Sequence, residues 1–261
     1  MTKKIDKSVI KRYMPLYRQL VSKDIKLKYR RSFLGYIWSV LNPLMIMAIM
    51  VVVFSSMFRF NIDNYPVYLI IGQTIFNFVN EATTKAMWSI LGNAALLKKT
   101  YVPKYIFTMS IVSSSFVNML FSLGAMLLVF IFTGVGFTWK LLFVPVILLQ
   151  VFVFALGLGL FLAQATVFFR DVQYIYAAFL TAWMYCTPIF YPIEQVSEQM
   201  AWFIRNINPL YAYIQQFRVI ALQGLMPESG LVLMGFAWSL GMLLFGALTF
   251  HRSQDKFILY I

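Results

Sequence analysis

Charged residues are scarce in this chain. Only 12% of its 261 residues are Asp, Glu, Lys or Arg, against 61% hydrophobic, and the mean hydropathy is +0.76. A globular domain carries about 25% charged residues, so this chain lacks the polar surface to cover itself in water, and a soluble fold is excluded. Cysteine is almost absent: Cys186 stands alone within an apolar segment, which rules out an internal disulfide or a thiolate metal cluster. His251 is the single histidine, and a serine–histidine nucleophile built on it would have only Asp255 as acidic partner. The nine acids are scattered, no two closer than four positions, so the clustered carboxylates that would hold a divalent metal are missing. There is no G-x-x-x-x-G-K-[ST] and no Gly-Lys pair, so the chain cannot cradle ATP in a P-loop of its own. These absences disfavour an enzyme acting alone. The basic start is too long, and lacks the small-residue site, for a cleavable signal peptide, so none is expected.

What the chain has in abundance is apolar sequence. A membrane helix needs about 20 apolar residues, and runs of that kind occur at Tyr36–Phe58, Pro66–Trp88, Tyr105–Phe132, Leu141–Phe168, Val172–Ile193 and Ser229–His251. The expected fold is an all-α integral membrane protein with six transmembrane helices. It divides into an amphipathic segment over 1–35 and a six-helix membrane domain over 36–261, a single domain overall. Net charge is +13, and eleven of the 22 Lys and Arg lie in the first 31 residues, beside the first span. That placement points to lipid headgroups rather than nucleic acid. Threaded from an inside N-terminus, the chain puts 17 cations inside and four outside, with Lys85 inside a span, so both termini are expected in the cytoplasm. Small residues at four-residue spacing, such as Ala155, Gly159 and Ala163, read as helix-packing positions.

The junction "LKYRRSFLGYIWSVLNPL" joins a cationic patch to an uncharged run. A helix from Pro15 would put Leu16, Tyr17, Leu20, Val21, Ile25 and Leu27 on one half and Arg18, Lys23, Lys26 and Arg30 on the other, the pattern of a helix lying in the membrane interface. Further on, Pro43 should free the carbonyl of Ser39 and bend the first span. In the second span Gln73, Asn77, Asn80, Glu81, Thr84 and Lys85 recur at three- and four-residue steps. Polar groups at that depth must face protein or water, as the wall of a translocation path or as a helix contact with Glu81 and Lys85 paired at i, i+4. Two loops stand apart. The stretch 89–105 holds a short amphipathic piece, Ala94–Thr100, too short to stand alone and explicable if it docks on another protein. The external loop 191–228 holds apolar stretches too short to span, expected to be re-entrant or interfacial.

Five stretches in order, "KYRRSFLGYIWSVLNPL" (28–44), "NAALLKKTYVPK" (93–104), "FFRD" (168–171), "TPIFYP" (187–192) and "NPLY" (208–211), resemble the membrane subunit of ABC-2-type exporters of cell-surface polysaccharide, the O-antigen, capsule and teichoic-acid exporters. The resemblance spans essentially the whole chain. It implies a non-catalytic permease that binds no cofactor, with ATP and magnesium on a separate ATPase subunit. Two copies of that subunit would serve two copies of this chain in the bacterial inner membrane. Asn93, Ala94, Leu96, Leu97, Lys98, Lys99, Tyr101 and Pro103 would form the cytoplasmic coupling helix, with Arg170 and Asp171 as a lesser ATPase contact. Lys28, Arg30 and Arg31 would flank a lateral opening for the pyrophosphate of an undecaprenyl-linked or similar lipid-linked glycan. The re-entrant pair, roughly 195–223, would be the external gate, with Pro209, Tyr211 and Arg218.

Aromatic residues make up 18% of the chain. Their faces offer sugar rings weak, repeated contacts that let a polymer slide. Tyr36, Trp38, Phe76, Phe78, Trp183, Tyr185 and Phe190 join Asn77, Asn80 and Glu81 as channel-lining candidates. The alternatives are an aromatic interface belt for the rings and, for the chain, an exporter of the same architecture moving a drug or lipid, a proton-coupled carrier using Glu81, or a glycan-processing enzyme.

Overall fold

The apolar runs fold as helices, and the breaks between them fall where glycine, proline or polar residues interrupt the pattern. The computed structural model describes residues 7–30, 34–57, 62 and 64–261; Arg31 and the external Arg59 lie outside these. Among the described residues there is no strand. The helices are α1 (Lys7–Tyr29), α2 (Trp38–Met57), α3 (Tyr65–Met87), α4 (Ala94–Lys99), α5 (Tyr105–Thr133), α6 (Val144–Phe168), α7 (Val172–Tyr185), α8 (Glu198–Ile207), α9 (Pro209–Gln223) and α10 (Ser229–Ser253).

Among the described residues four segments are long and apolar enough to cross a membrane: Gly35–Phe54, Tyr105–Thr133, Trp139–Phe168 and Ser229–Leu259. The other two expected spans take a different form. α3 has the length, but its polar stripe lowers its hydropathy, and it is buried along most of its course. It forms the centre of the helix assembly, packed on α2, α5, α6 and α9. α7 ends at Tyr185 instead of running to Ile193, because Pro188 and Pro192 lack the N–H that would continue it. Its 14 residues cover about 21 Å, short of an apolar slab about 30 Å thick.

α1 carries Pro15 inside it, so the proline does not begin the helix as expected. Its apolar side rests on α5, where the Tyr17 hydroxyl meets Ser113 Oγ at 2.7 Å. α2 contains Pro43, and the Ser39 carbonyl that the proline leaves without a helical donor accepts from Ser122 Oγ at 3.4 Å. The carbonyl expected to be freed by Pro43 thus has a partner on α5.

Small residues set the closest helix contacts. Gly159 sits so close to α3 and α5 that an added Cβ would lie 3.1 Å from Ala86 Cβ and 3.3 Å from Val112 Cγ2, while Ala155 and Ala163 are fully buried. α6 and α10 approach closer still, a Cβ on Gly157 landing on the Met242 and Leu243 backbone and one on Gly246 landing on Gly157. A polar knot ties the same helices. Gln216 Nε2 donates to Gln150 Oε1 at 3.0 Å, Ser239 Oγ donates to the Gln150 carbonyl at 2.8 Å, and the Tyr213 hydroxyl shares a 2.8 Å bond with Ser239.

A second, smaller apolar cluster lies at the end of the bundle that carries α1, α4 and the C-terminal turn Gln254–Leu259. Leu97, Val102, Phe107, Leu160, Phe250 and Phe257 are buried there, with Leu16 and Leu20 of α1 against them. Lys104 seals its edge, donating to the Gln254 carbonyl with its ammonium 5.5 Å from the Phe257 ring centre. Burial there pushes the Lys104 pKa down, against the opposing pull of Asp255.

Gly157→Val tests the α6–α10 contact. The backbone it would strike cannot swing aside, so the variant should lose at least about 3 kcal/mol, seen as a fall in thermal unfolding temperature of the detergent-solubilised chain. Gly241→Val, where an added Cβ meets nothing within 4 Å, should leave it within about 0.5 kcal/mol of wild type.

Candidate functional site

The polar stripe of α3 lines a cavity of about 770 Å³ shared with α2 and α5, with Lys28 of α1 at its edge. α3 contributes Gln73, Thr74, Asn77, Asn80, Glu81, Thr84 and Lys85, and α2 contributes Trp38, Ser39 and Asn42. Sequence reading missed the third wall, Ser115, Asn118 and Ser122 of α5. Their steps of three and four residues place them on one helix face, a signal present in the sequence of the third span but not drawn on.

Charge is concentrated at one end of this cavity. Glu81 Oε1 accepts from Lys85 Nζ at 2.6 Å, from Lys28 Nζ at 2.9 Å and from Asn118 Nδ2 at 3.1 Å. The i, i+4 pair expected from sequence is therefore one arm of a junction that also holds α1 and α5. A carboxylate so partly buried needs this company, since an unpaired charge in an apolar medium is costly. Toward the other end of α3 the polar part of the lining is amide and hydroxyl, set among Pro43, Ile46, Phe78 and Met119.

A second cavity, about 540 Å³, lies across α3 from the first. Asn80 and Thr84 face both, and the far wall is Gln173, Tyr174, Tyr176 and Thr181 of α7. Tyr176 donates to Thr83 Oγ1 at 2.7 Å. Beyond that wall α7 presents an open face, with Tyr174, Ile175, Phe179 and Tyr185 exposed.

Of the proposed gate residues, Arg218 forms a clamp at the opposite end from α1, while Pro209 opens α9 and Tyr211 is half-buried on it. Arg218 of α9 is 4% exposed. Its Nη1 donates to the Pro188 carbonyl at 2.7 Å, its Nη2 to the Tyr68 carbonyl at 3.0 Å and the Ile189 carbonyl at 3.3 Å. The guanidinium carbon lies 3.3 Å from the Tyr68 ring centre. Among the described residues no carboxylate pairs with it, so carbonyl oxygens and a ring face carry the compensation. The Tyr68 hydroxyl donates to the Tyr191 carbonyl at 2.7 Å, and the Tyr65 hydroxyl to the Phe190 carbonyl at 2.8 Å. Asn208 completes the joint, accepting from Trp183 Nε1 at 2.9 Å, donating to Thr187 Oγ1 at 2.9 Å and capping α9 at Leu210 N. The stretches "TPIFYP" and "NPLY", separate in sequence, are one hydrogen-bonded unit.

The other sequence-selected residues fall in three places. Asn93, Ala94, Leu96, Lys98, Lys99, Tyr101 and Pro103 form a ledge over the smaller apolar cluster, Leu97 buried beneath and Tyr101 88% exposed. Asn93 Nδ2 holds the ledge to the Ser89 carbonyl at 2.8 Å, and the Tyr13 hydroxyl of α1 donates to the Tyr101 carbonyl at 3.2 Å. Arg170 and Asp171 are exposed at the turn between α6 and α7, and Arg30 is exposed after α1. The aromatic candidates do not converge on one surface. Phe76, Trp183 and Phe190 are buried, Phe190 stacked on Phe54 at 5.2 Å. Trp38 and Phe78 line the larger cavity. Tyr36 and Tyr185 are exposed, Tyr36 lying 5.8 Å from Phe121.

Helices that carry buried polar walls and expose wide apolar faces define an integral membrane protein of the transporter kind. The family model described as ABC-2 type transporter matches residues 15–222, and the chain belongs to that family. It is 28% identical over 246 residues to the O-antigen export system permease protein RfbA of Myxococcus xanthus, covering 94% of this chain and 95% of that protein. A protein of the same name from Klebsiella pneumoniae is 30% identical over 210 residues, 78% of this chain and 79% of its own length. A second Klebsiella pneumoniae protein of that name is 27% identical over 212 residues.

The Arg218 clamp is testable by substitution. Arg218→Leu, which leaves three carbonyls without their donor, should cost about 3 kcal/mol of stability. Arg218→Lys should recover less than half, because one ammonium cannot lie over Tyr68 and reach three carbonyls. Thermal unfolding in detergent reads both, and equal stability of Arg218→Lys and wild type would contradict the clamp.

Proposed function

We propose that this chain is the permease subunit of an ATP-driven exporter of lipid-linked cell-surface polysaccharide across the bacterial inner membrane. The observation that carries the proposal is the nearly end-to-end match to an O-antigen export permease. In this reading the membrane domain, 36–261, makes six crossings, with α3 and α7 protected by their neighbours and by a second copy of the chain. The segment 1–35 lies along the cytoplasmic interface, both termini are cytoplasmic, and α8 and α9 are the re-entrant external gate. The positive-inside distribution of Lys and Arg supports that orientation.

A separate ATPase, two copies with ATP and magnesium, supplies the energy. The lack of any P-loop in this sequence supports that division of labour. The ledge 93–103 is its docking point, and Arg170 with Asp171 makes a lesser contact. What supports this is the form of the ledge: a six-residue helix cannot persist by itself, yet this one is seated on a core of its own and presents Leu96, Lys98, Lys99 and Tyr101 outward. Because α1 touches both the ledge, through Tyr13, and the Glu81 junction, through Lys28, a movement of the ledge reaches the polar wall along one rigid helix. Arg30 and Arg31 remain the headgroup contacts of the lateral opening. Glu81 is held by three donors as a structural tie, which speaks against a carrier that cycles a proton on it.

Leu96→Asp with Tyr101→Asp puts charge on the outward face of the ledge and leaves Leu97 in place. The double variant should insert at wild-type level yet retain less than about a tenth of the co-purifying ATPase, and export should fall with it. Wild-type ATPase recovery and export would remove the docking assignment.

A further inference from the structure

We infer that the larger cavity is a binding site for a polyhydroxylated ring, one sugar unit held inside each protomer between α2, α3 and α5. Four of its lining residues carry polar atoms with no hydrogen-bond partner among the described residues: Gln73 Oε1, Thr74 Oγ1, Ser115 Oγ and Asn118 Oδ1. All four residues are more than nine-tenths buried, at 7%, 6%, 0% and 5% exposure. Leaving such a group unpaired costs about 1–3 kcal/mol, so four in one wall is a concentration that packing alone does not reward. Each of these atoms is shielded by its neighbours in this arrangement, so the proposed ligand would have to draw the side chains toward the cavity as it binds.

The chemistry of the wall selects the ligand. Amide and hydroxyl side chains offer donors and acceptors together, and the complement of such a surface is a molecule whose groups both donate and accept. Hydroxyls do so. A phosphate only accepts, and an acyl chain does neither. Trp38 and Phe78 add ring surface against which the C–H face of a sugar can lie. At about 770 Å³ the cavity is of ordinary ligand-site size. The Glu81 junction closes one end with Lys28 and Lys85, so the polar pocket lies beyond a charged mouth. The hydroxyls could belong to a unit of a transported glycan, which rests on the permease reading above, or to the glycerol head group of a membrane lipid.

Cys186 is the only cysteine, so Cys186→Ser with Asn77→Cys places a single thiol in the cavity wall of the full chain in nanodiscs. The rate of its modification by a small methanethiosulfonate is measured in phosphatidylcholine discs with a panel of methyl pyranosides, with inorganic phosphate, and in discs containing phosphatidylglycerol. At least one pyranoside should slow labelling about fivefold or more, phosphate should not, and Gln73→Leu or Asn118→Ala should each abolish the protection. Using both variants guards against one failing to insert. No protection by any pyranoside, equal protection by phosphate, or protection that survives both variants would overturn the site. Slowing that follows phosphatidylglycerol and is not deepened by pyranosides would reassign it to a lipid head group and overturn the sugar unit. Pyranoside protection in a chain that, unaltered and with its ATPase, moves no glycan would count against the permease reading and leave this site standing.

Discussion

The structure depends on how α3 disposes of its polar side chains. An apolar solvent offers them nothing, so those that meet another polar group fix in place the helices that supply it. Glu81 gathers Lys85 from its own helix, Lys28 from α1 and Asn118 from α5. Thr83 receives Tyr176 from α7. At the far end the Tyr68 carbonyl receives Arg218 from α9. One central helix thus holds four others by polar contacts, while the glycine-lined approach of α6 to α10 supplies the close packing that dispersion needs.

That arrangement separates the two ends of the molecule. At the clamp end the polar groups are matched one to one: Arg218, Asn208, Tyr65 and Tyr68 all find partners. In the larger cavity four polar atoms go unmatched. A fully satisfied network rigidifies what it joins, and a partly satisfied one is open to a further partner. The contrast gives the proposed gate the character of a lock and the cavity that of a place where something binds. It also explains why α1 is built as it is, with tyrosines reaching the ledge and α5 and a lysine reaching the cavity mouth.

Much of this was legible in the sequence because the physics involved is local. Residues at three- and four-residue steps share a helix face, so the stripe on α3 and the Glu81–Lys85 pair could be read directly, as could Pro43 freeing the Ser39 carbonyl. What the stripe faces could not be read. Lys28 lies 53 residues from Glu81, and Ser122 lies 83 from Ser39, distances over which no periodicity speaks. Length was misjudged where an apolar run continues past a helix end, as at Tyr185. Composition also misleads about aromatics, since Trp183 and Phe190 look available and are buried. The positions of Arg30 and Arg170 on the surface were legible.

The most direct test of the account is transport in proteoliposomes that hold the purified chain with or without the nucleotide-hydrolysing subunit. The account predicts ATP-dependent movement of lipid-linked glycan only when both are present, and none with the chain alone under a proton gradient. Movement by the chain alone would contradict it.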